Sequence, residues 1–517
     1  MRAPEPTITR RTRELKPALM SGRPVIYFDV SDVVEFVRSN TRLSGIQRVS
    51  VEIVKYLSER RGDHDLRLLC YHPTLKRMVW FSAEPFDGNY RFDHSEFCRY
   101  FAISHRKEGG VRIREYLKRR YRNPAKRLFH GVRLRLRNML DGGHAFARHK
   151  ITTRRSRRLK PKNAFDVRFA KGDRVFISGA TWGGLFQSYM DALEDAKQRL
   201  GIKVSLFVHD LIPLIAPEHV VNDVPEQFSD WIERMCRLVD LFLVNSESTR
   251  RDLERFMRAH AAQAVPVRVV PLAHEFLLPE DRDGSRRQAP ARFFDPERHS
   301  FGQRRIRCEV LNAALLPYVL VVGTIESRKN VWTIAIVWQE IYRRLGLDTP
   351  RLVFAGKQGW AKEAFDDFLR GSGHLDGYIR IVDRPDDVEL AHLYRRCLFS
   401  VSASYYEGWG LPIGEGLWFG RPVVASNVSA MPEVGGSLVE YVDPYDPKSI
   451  RDACLKLITD DAYREAMAQR IRREDLRRWS DVAEGIWQAL TVPAEATVGM
   501  TTAPAKPVGT GALALAG

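Results

Sequence analysis

Between residues 318 and 427 the chain repeats one phrase: a short apolar, β-branched run, a glycine-bearing turn, then residues suited to starting a helix. The phrase is read in YVLVVGTIESRKN (318–330), RLVFAGKQGW (351–360) and LFSVSASYYEGWG (398–410), and GLWFGRPVVASN (416–427) follows as a helix end and a further strand. Runs this short and this apolar suit strands buried on both faces. Alternation of such strands with helices implies a parallel sheet, and open α/β sheets bind ligands at the carboxyl ends of their strands. The strands fall within the first part of 318–330, from 351 to just before Lys357, at 398–401 and at 423–425, and a helix ends near Gly420. The turns after the first three would then open onto one rim carrying Arg328, Lys329, Glu407 and Glu415.

Within that rim, EGWGLPIGE (407–415) sets two carboxylates eight positions apart. Gly408 and Gly410 leave backbone N–H groups uncovered, and Leu411 and Pro412 fit the first turn of a helix. Such N–H groups, with the positive end of a helix dipole behind them, suit a phosphate. Glu407 precedes the turn and Glu415 lies about one helical turn inside, so one carboxylate can flank each end of a phosphate-containing ligand. The plainer alternative is a tight turn with two solvated glutamates. Arg328 and Lys329 open another predicted helix, where positive charge opposes the dipole. A bound anion explains them better than solvent does. Lys357 stands just past the end of the 351–356 strand.

With these motifs in order, the stretch from 318 to about 490 resembles the nucleotide-sugar-binding domain of glycosyltransferase family 4. Glu407 and Glu415 match that family's Glu-x7-Glu signature, and residues 323–330 match its Gly-Thr-x-x-x-Arg-Lys-Asn turn. FAGKQGW (354–360) and RPVVASNVSAMPEVGG (421–436) follow its usual wording. Two positions depart from it: Trp409 where Phe is common, and Ser327 where Pro is common. The resemblance implies an α/β protein of the GT-B type, two Rossmann-like domains facing across a cleft, and a retaining, metal-independent hexosyltransferase. It places Arg328 and Lys329 at the leaving pyrophosphate, Glu415 on the nucleotide ribose and Glu407 beside the donor sugar. Whether Glu407 acts as a covalent nucleophile stays open. Gly323, Gly408, Trp409, Gly410, Leu411 and Lys357 would complete the donor site. The donor is a nucleotide-diphosphate sugar and no cofactor is expected. The acceptor implied is a surface polysaccharide or a lipid-linked glycan.

The first half resembles a GT-B acceptor domain. A strand at 25–28 leads to RLSGIQRVSVEIVKYL (42–57), a turn and an amphipathic helix with Gly45 at its entrance, where backbone would approach donor and acceptor. VSLFVHDLIPLIAPEH (204–219) ends a buried strand in His209 and Asp210. His209 matches the family's His-Asp-Leu-x-Pro pattern and is assigned to the catalytic set with Glu407, Arg328 and Lys329. The wording of 209–213 leans to GDP-mannose as donor. Asp63-His64-Asp65 has the form of a metal-binding pair, but it lies in a charged turn before a strand and is read as a turn. The expected division is 22–280 for the first domain, 281–316 for a linker, 317–478 for the second, and 479–490 for a helix crossing back to the first. The low-complexity tail 491–517 is expected to be disordered.

Six scattered cysteines with no CxxC spacing argue against a thiolate zinc framework and for reduced thiols in a cytoplasmic setting. No apolar run reaches the roughly 18 residues of a membrane span, and the first twenty residues lack a signal-peptide core. Residues 101–170 hold 22 Lys/Arg against 4 Asp/Glu, a surplus equal to the whole chain's +18. That basic insertion is interleaved with Tyr, Phe and Leu. Docking on an anionic membrane surface, a solvated insertion and a nonspecific RNA patch are all open readings. The competing functions are a GT-B-related epimerase or phosphorylase and a basic nucleic-acid-binding protein. The last leaves Glu-x7-Glu unexplained and shows none of the usual nucleic-acid motifs, so no specific nucleic acid is expected.

Overall fold

The computed structural model describes residues 24–43, 45–59, 64–87, 90, 92–104, 163–182, 186–220, 224–260, 264–277 and 306–492. Most of the basic insertion, most of the expected linker and all but the first two residues of the tail lie outside these residues, as does Asp63. Two compact units divide at Lys203/Val204.

In the first unit, the run VIYFD forms β1 (Val25–Asp29), buried at every position. The other strands are β2 (Asp65–His72), β3 (Arg77–Ser82), β4 (Phe165–Asp166) and β5 (Arg174–Ile177), in the order β4-β3-β2-β1-β5. β1 runs parallel to both β2 and β5. The hairpin partner β3 is antiparallel to β2 and β4, so this sheet is mixed. The amphipathic pattern after Gly45 becomes the helix Gly45–Leu57, whose Val49, Val51, Ile53, Val54 and Leu57 are buried. Asp65 is the first residue of β2 and lies 3.5 Å from Arg67.

The second unit opens with β6 (Lys203–Val208), β7 (Leu241–Val244) and β8 (Val267–Val269), parallel neighbours. A second sheet follows: β9 (Tyr318–Val322), β10 (Arg351–Gly356), β11 (Ile379–Asp383), β12 (Ser400–Ser402), β13 (Val423–Ser426) and β14 (Glu440–Val442). All its pairings are parallel, in the order β11-β10-β9-β12-β13-β14. From β9 the chain builds outward on one side, then returns to place β12 on the other. The β9/β12 junction is therefore a topological switch point, the place where open α/β sheets bind ligands at the strands' carboxyl ends. Trp338 and Ile341 of the helix Val331–Leu345 pack with Leu352, Phe354 and Leu457 to form the core beneath.

β12 is shorter than its apolar run, although Leu398 already donates its N–H to Tyr318 O. The helix before Gly420 ends at Trp418, and Gly420 takes the left-handed conformation (φ 67°). Residues 306–316, read as linker, include the helix Cys308–Ala313. It is anchored by Arg307, whose Nε donates to Glu389 at 2.8 Å. Contacts explain why β6 to β8 group with the second sheet. Glu433 accepts from the N–H groups of Glu247 (2.7 Å) and Ser248 (2.8 Å), capping the helix Glu247–His260 that follows β7. The helix Trp479–Thr491 returns to β8's end: Trp479 Nε1 donates to Glu275 O at 3.0 Å, and Gly485 lies against Val270.

Candidate active site

The turns after β9 and β10 are joined through their backbones. Gly323 (φ 136°) donates to Ala355 O, Ile325 to Lys357 O, and Gly359 to Ile325 O. A Cβ on Gly356 would lie 1.8 Å from Gly323 O, so only glycine permits this approach. The β9 turn then buries Glu326 and forms a single helical turn, Ser327–Lys329. Asn330 follows in the left-handed region (φ 59°), its Nδ2 donating to Pro444 O. The geometry fixes where Arg328 and Lys329 stand, facing Glu407.

Both cations meet Glu407, delivered by the turn after β12. Arg328 Nη1 lies 2.8 Å from Glu407 Oε2 and donates to Tyr406 O at 2.7 Å, while its Nη2 donates to Glu326 Oε1 at 2.8 Å. Lys329 Nζ donates to Glu407 Oε1 at 2.5 Å. Glu407's own N–H donates to Ser429 Oγ. Burial works to raise the Glu407 pKa, but Arg328 and then Lys329 outweigh it and hold the carboxyl at about 2. Burial likewise works against charge on Arg328, yet Glu407 and Glu326 leave its pKa raised. Asp210, half-buried nearby, is pushed up by desolvation, with the Ile212 N–H and then Arg328 opposing.

Gly408 seats this turn against the end of β6. A Cβ there would fall 2.1 Å from His209 O, and that carbonyl accepts from Asn245 Nδ2 at 2.7 Å. Gly408 O accepts from Ser246 Oγ at 2.9 Å. His209 is thus brought to the cluster through its backbone. Gly410 (φ 104°) then starts the helix Leu411–Trp418, with Leu411 half-buried and Trp409 buried above it. Four residues further on, Glu415 is buried and accepts from Tyr394 Oη at 3.0 Å.

Arg328, Lys329, Glu407, Gly323, Gly408 and His209 therefore meet at one switch point. The solvated alternative for the basic pair does not hold, since the two side chains are only 14% and 12% exposed and both are ion-paired. The anion they hold here is the chain's own carboxylate. Glu415, four residues into the helix that starts at Leu411, is bonded to Tyr394. Lys357 is exposed and joins the turns by its carbonyl. Gly45 belongs to the first unit, where its positive φ of 49° opens a helix and nothing lies within 4 Å of its Cβ direction. Sequence reading gave no role to Glu326 or Asp210, although both stand inside quoted motifs. It missed Ser246, Asn245, Ser429 and Tyr394, which come from other elements without a local signal.

Residues 316–460 match the family described as glycosyl transferases group 1. Among characterised proteins, the O-antigen chain mannosyltransferase B of Escherichia coli is 35% identical over 153 residues, 30% of this chain and 40% of that one. The serotype-specific mannosyltransferase WbdA of E. coli is 26% identical over 333 residues, 64% of this chain and 38% of that one. The matched stretches thus span about two fifths of these relatives' lengths. Among solved structures, sucrose-phosphate synthase from Thermosynechococcus elongatus superposes with a TM-score of 0.51 at 15% identity, covering 90% of this chain and 98% of that one. HepE of Anabaena, in complex with UDP-glucose, gives 0.50 at 11% identity, covering 90% and 99%. At such identities the superpositions show the fold alone, and that fold is GT-B. The chain thus has the GT-B fold, and its residues 316–460 are similar to the glycosyl transferases group 1 family.

Proposed function

We propose that this protein is a retaining glycosyltransferase that moves a hexose, with mannose favoured, from a nucleotide-diphosphate sugar to a glycan or lipid-linked acceptor in surface polysaccharide synthesis. The observation that carries this reading is the ion-paired Arg328–Lys329–Glu407 cluster at the β9/β12 switch point, beside the start of the helix Leu411–Trp418. Breaking the bond to the anomeric carbon sends negative charge to the leaving diphosphate and positive charge to the sugar. Cations fixed at the leaving oxygen stabilise that state more than the ground state. Arg328 can fork across two phosphate oxygens, Lys329 adds a point charge, and the start of the helix Leu411–Trp418 adds N–H donors. Glu407, ionised at every working pH, faces the developing positive charge at the sugar. Glu415, buried one turn along, is the acceptor for ribose hydroxyls.

The mannosyltransferase relatives support mannose and a polysaccharide acceptor. Because this basic pair supplies the positive charge, EDTA is expected to leave transfer unchanged. The deciding experiment is a thermal-shift panel of nucleotide sugars, followed by transfer with the best donor and NMR of the product. GDP-mannose is expected to give the largest shift and the product to keep the donor's anomeric configuration. A chain that neither binds nor turns over any nucleotide sugar contradicts the reading, and an inverted product removes its retaining part.

A further inference from the structure

One histidine touches all three turns of the donor rim, two through its ring and one through its carbonyl. His219 ends the short helical turn Pro217–His219, downstream of β6. Its Nδ1 shares a 2.9 Å hydrogen bond with the hydroxyl of Ser327, the residue before Arg328. Its ring lies flat on that of Tyr405, two residues before Glu407, with centroids 5.4 Å apart and planes 5° apart. Its carbonyl accepts from Trp360 Nε1 at 2.7 Å, which ties in the turn after β10. Tyr405 closes the loop, donating its N–H to Arg328 O at 3.0 Å.

The bond to Ser327 depends on a departure from the family's wording. Where proline is common at this position, serine supplies a hydroxyl that proline lacks. A half-buried histidine that fixes the residue before a phosphate-binding arginine acts on the arginine's placement, and small displacements of such groups cost rate.

We infer that His219 is a positioning residue for the donor site, holding Arg328 through Ser327 and Glu407 through Tyr405. It touches neither the donor nor the reacting atoms. This rests on the glycosyltransferase reading above, so the test scores the two separately. Release of nucleotide from GDP-mannose and UDP-glucose, and binding of GDP and UDP alone by calorimetry, are measured for the full chain and its variants. His219→Ala is expected to lower kcat/KM roughly tenfold, mainly in kcat, with Tm close to that of the parent. His219→Asn, whose amide sits where Nδ1 did, is expected to recover part of the loss. Ser327→Ala in the His219→Ala background is expected to add little, because the two act as one unit.

Unchanged kinetics for His219→Ala overturn the inference. So does His219→Asn no better than alanine, or full additivity of the two alanine changes. A parent chain that binds neither nucleotide and releases none overturns the donor-site reading itself.

Discussion

Glu407 is a carboxylate whose burial and pairing pull in opposite directions, and the outcome can be measured. Its pKa in the folded chain, about 2, lies below the roughly 4.3 of a free glutamate. A depressed carboxyl pKa contributes stability that is fully present above the unfolded value and is lost as pH falls through the folded one. Acid unfolding followed by circular dichroism should therefore show Glu407 contributing between about pH 4.5 and 2, and that contribution should vanish in Glu407→Gln. Activity should show no acid limb from Glu407 above pH 4. Glu407→Ala leaves Arg328 buried with Glu326 as its remaining ion-pair partner. A cost of about 3–5 kcal/mol is expected, alongside a loss of turnover. Arg328→Ala should lower kcat by roughly 100- to 1000-fold, the size seen when a charge-stabilising donor is removed. Glu415→Ala, by contrast, should raise the donor's Kd more than it lowers kcat, as a ribose-binding role requires. Equal effects of all three on kcat alone would separate Glu415 from the ribose.

At the scale of elements, the glycines decide how closely the turns approach. Gly408→Ala would force a Cβ to 2.1 Å from His209 O. The turn must shift, at a cost of about 1–3 kcal/mol and most of the activity; equal Tm and kcat for this variant would contradict the close approach. Much of this was legible in the sequence. Each strand–turn–helix phrase carries its own apolar run and its own glycine, so β9, β10, β12 and β13 could be placed within a few residues. The pairing of Arg328 and Lys329 with Glu407 was not legible, because 78 residues separate Lys329 from Glu407 and only the sheet order makes β9 and β12 neighbours. The Tyr394–Glu415 bond was hidden too, because it joins two separate helices, Asp387–Arg396 and Leu411–Trp418, 21 residues apart. β12 was read too early because apolar residues entering a strand look like the strand itself.

For the whole molecule, charge and connectivity matter most. The +18 surplus confined to 101–170 leads us to propose that the chain binds anionic vesicles through that stretch. Each basic residue near such a surface contributes about 1 kcal/mol. Flotation should show binding to phosphatidylserine-containing liposomes that falls with salt and is lost on deleting 105–162. Equal binding to neutral vesicles would contradict it. Chain order and spatial order also part company near the C-terminus. Trp479 bonds to Glu275 and Gly485 nests on Val270, although the entire six-stranded sheet is threaded between them. Cutting the gene anywhere in 278–305 therefore does not yield two tidy halves. An upstream fragment would carry a bare apolar seat at the end of β8, and its downstream counterpart a helix lacking a berth. Co-expressed, the two pieces have a built-in means of finding one another.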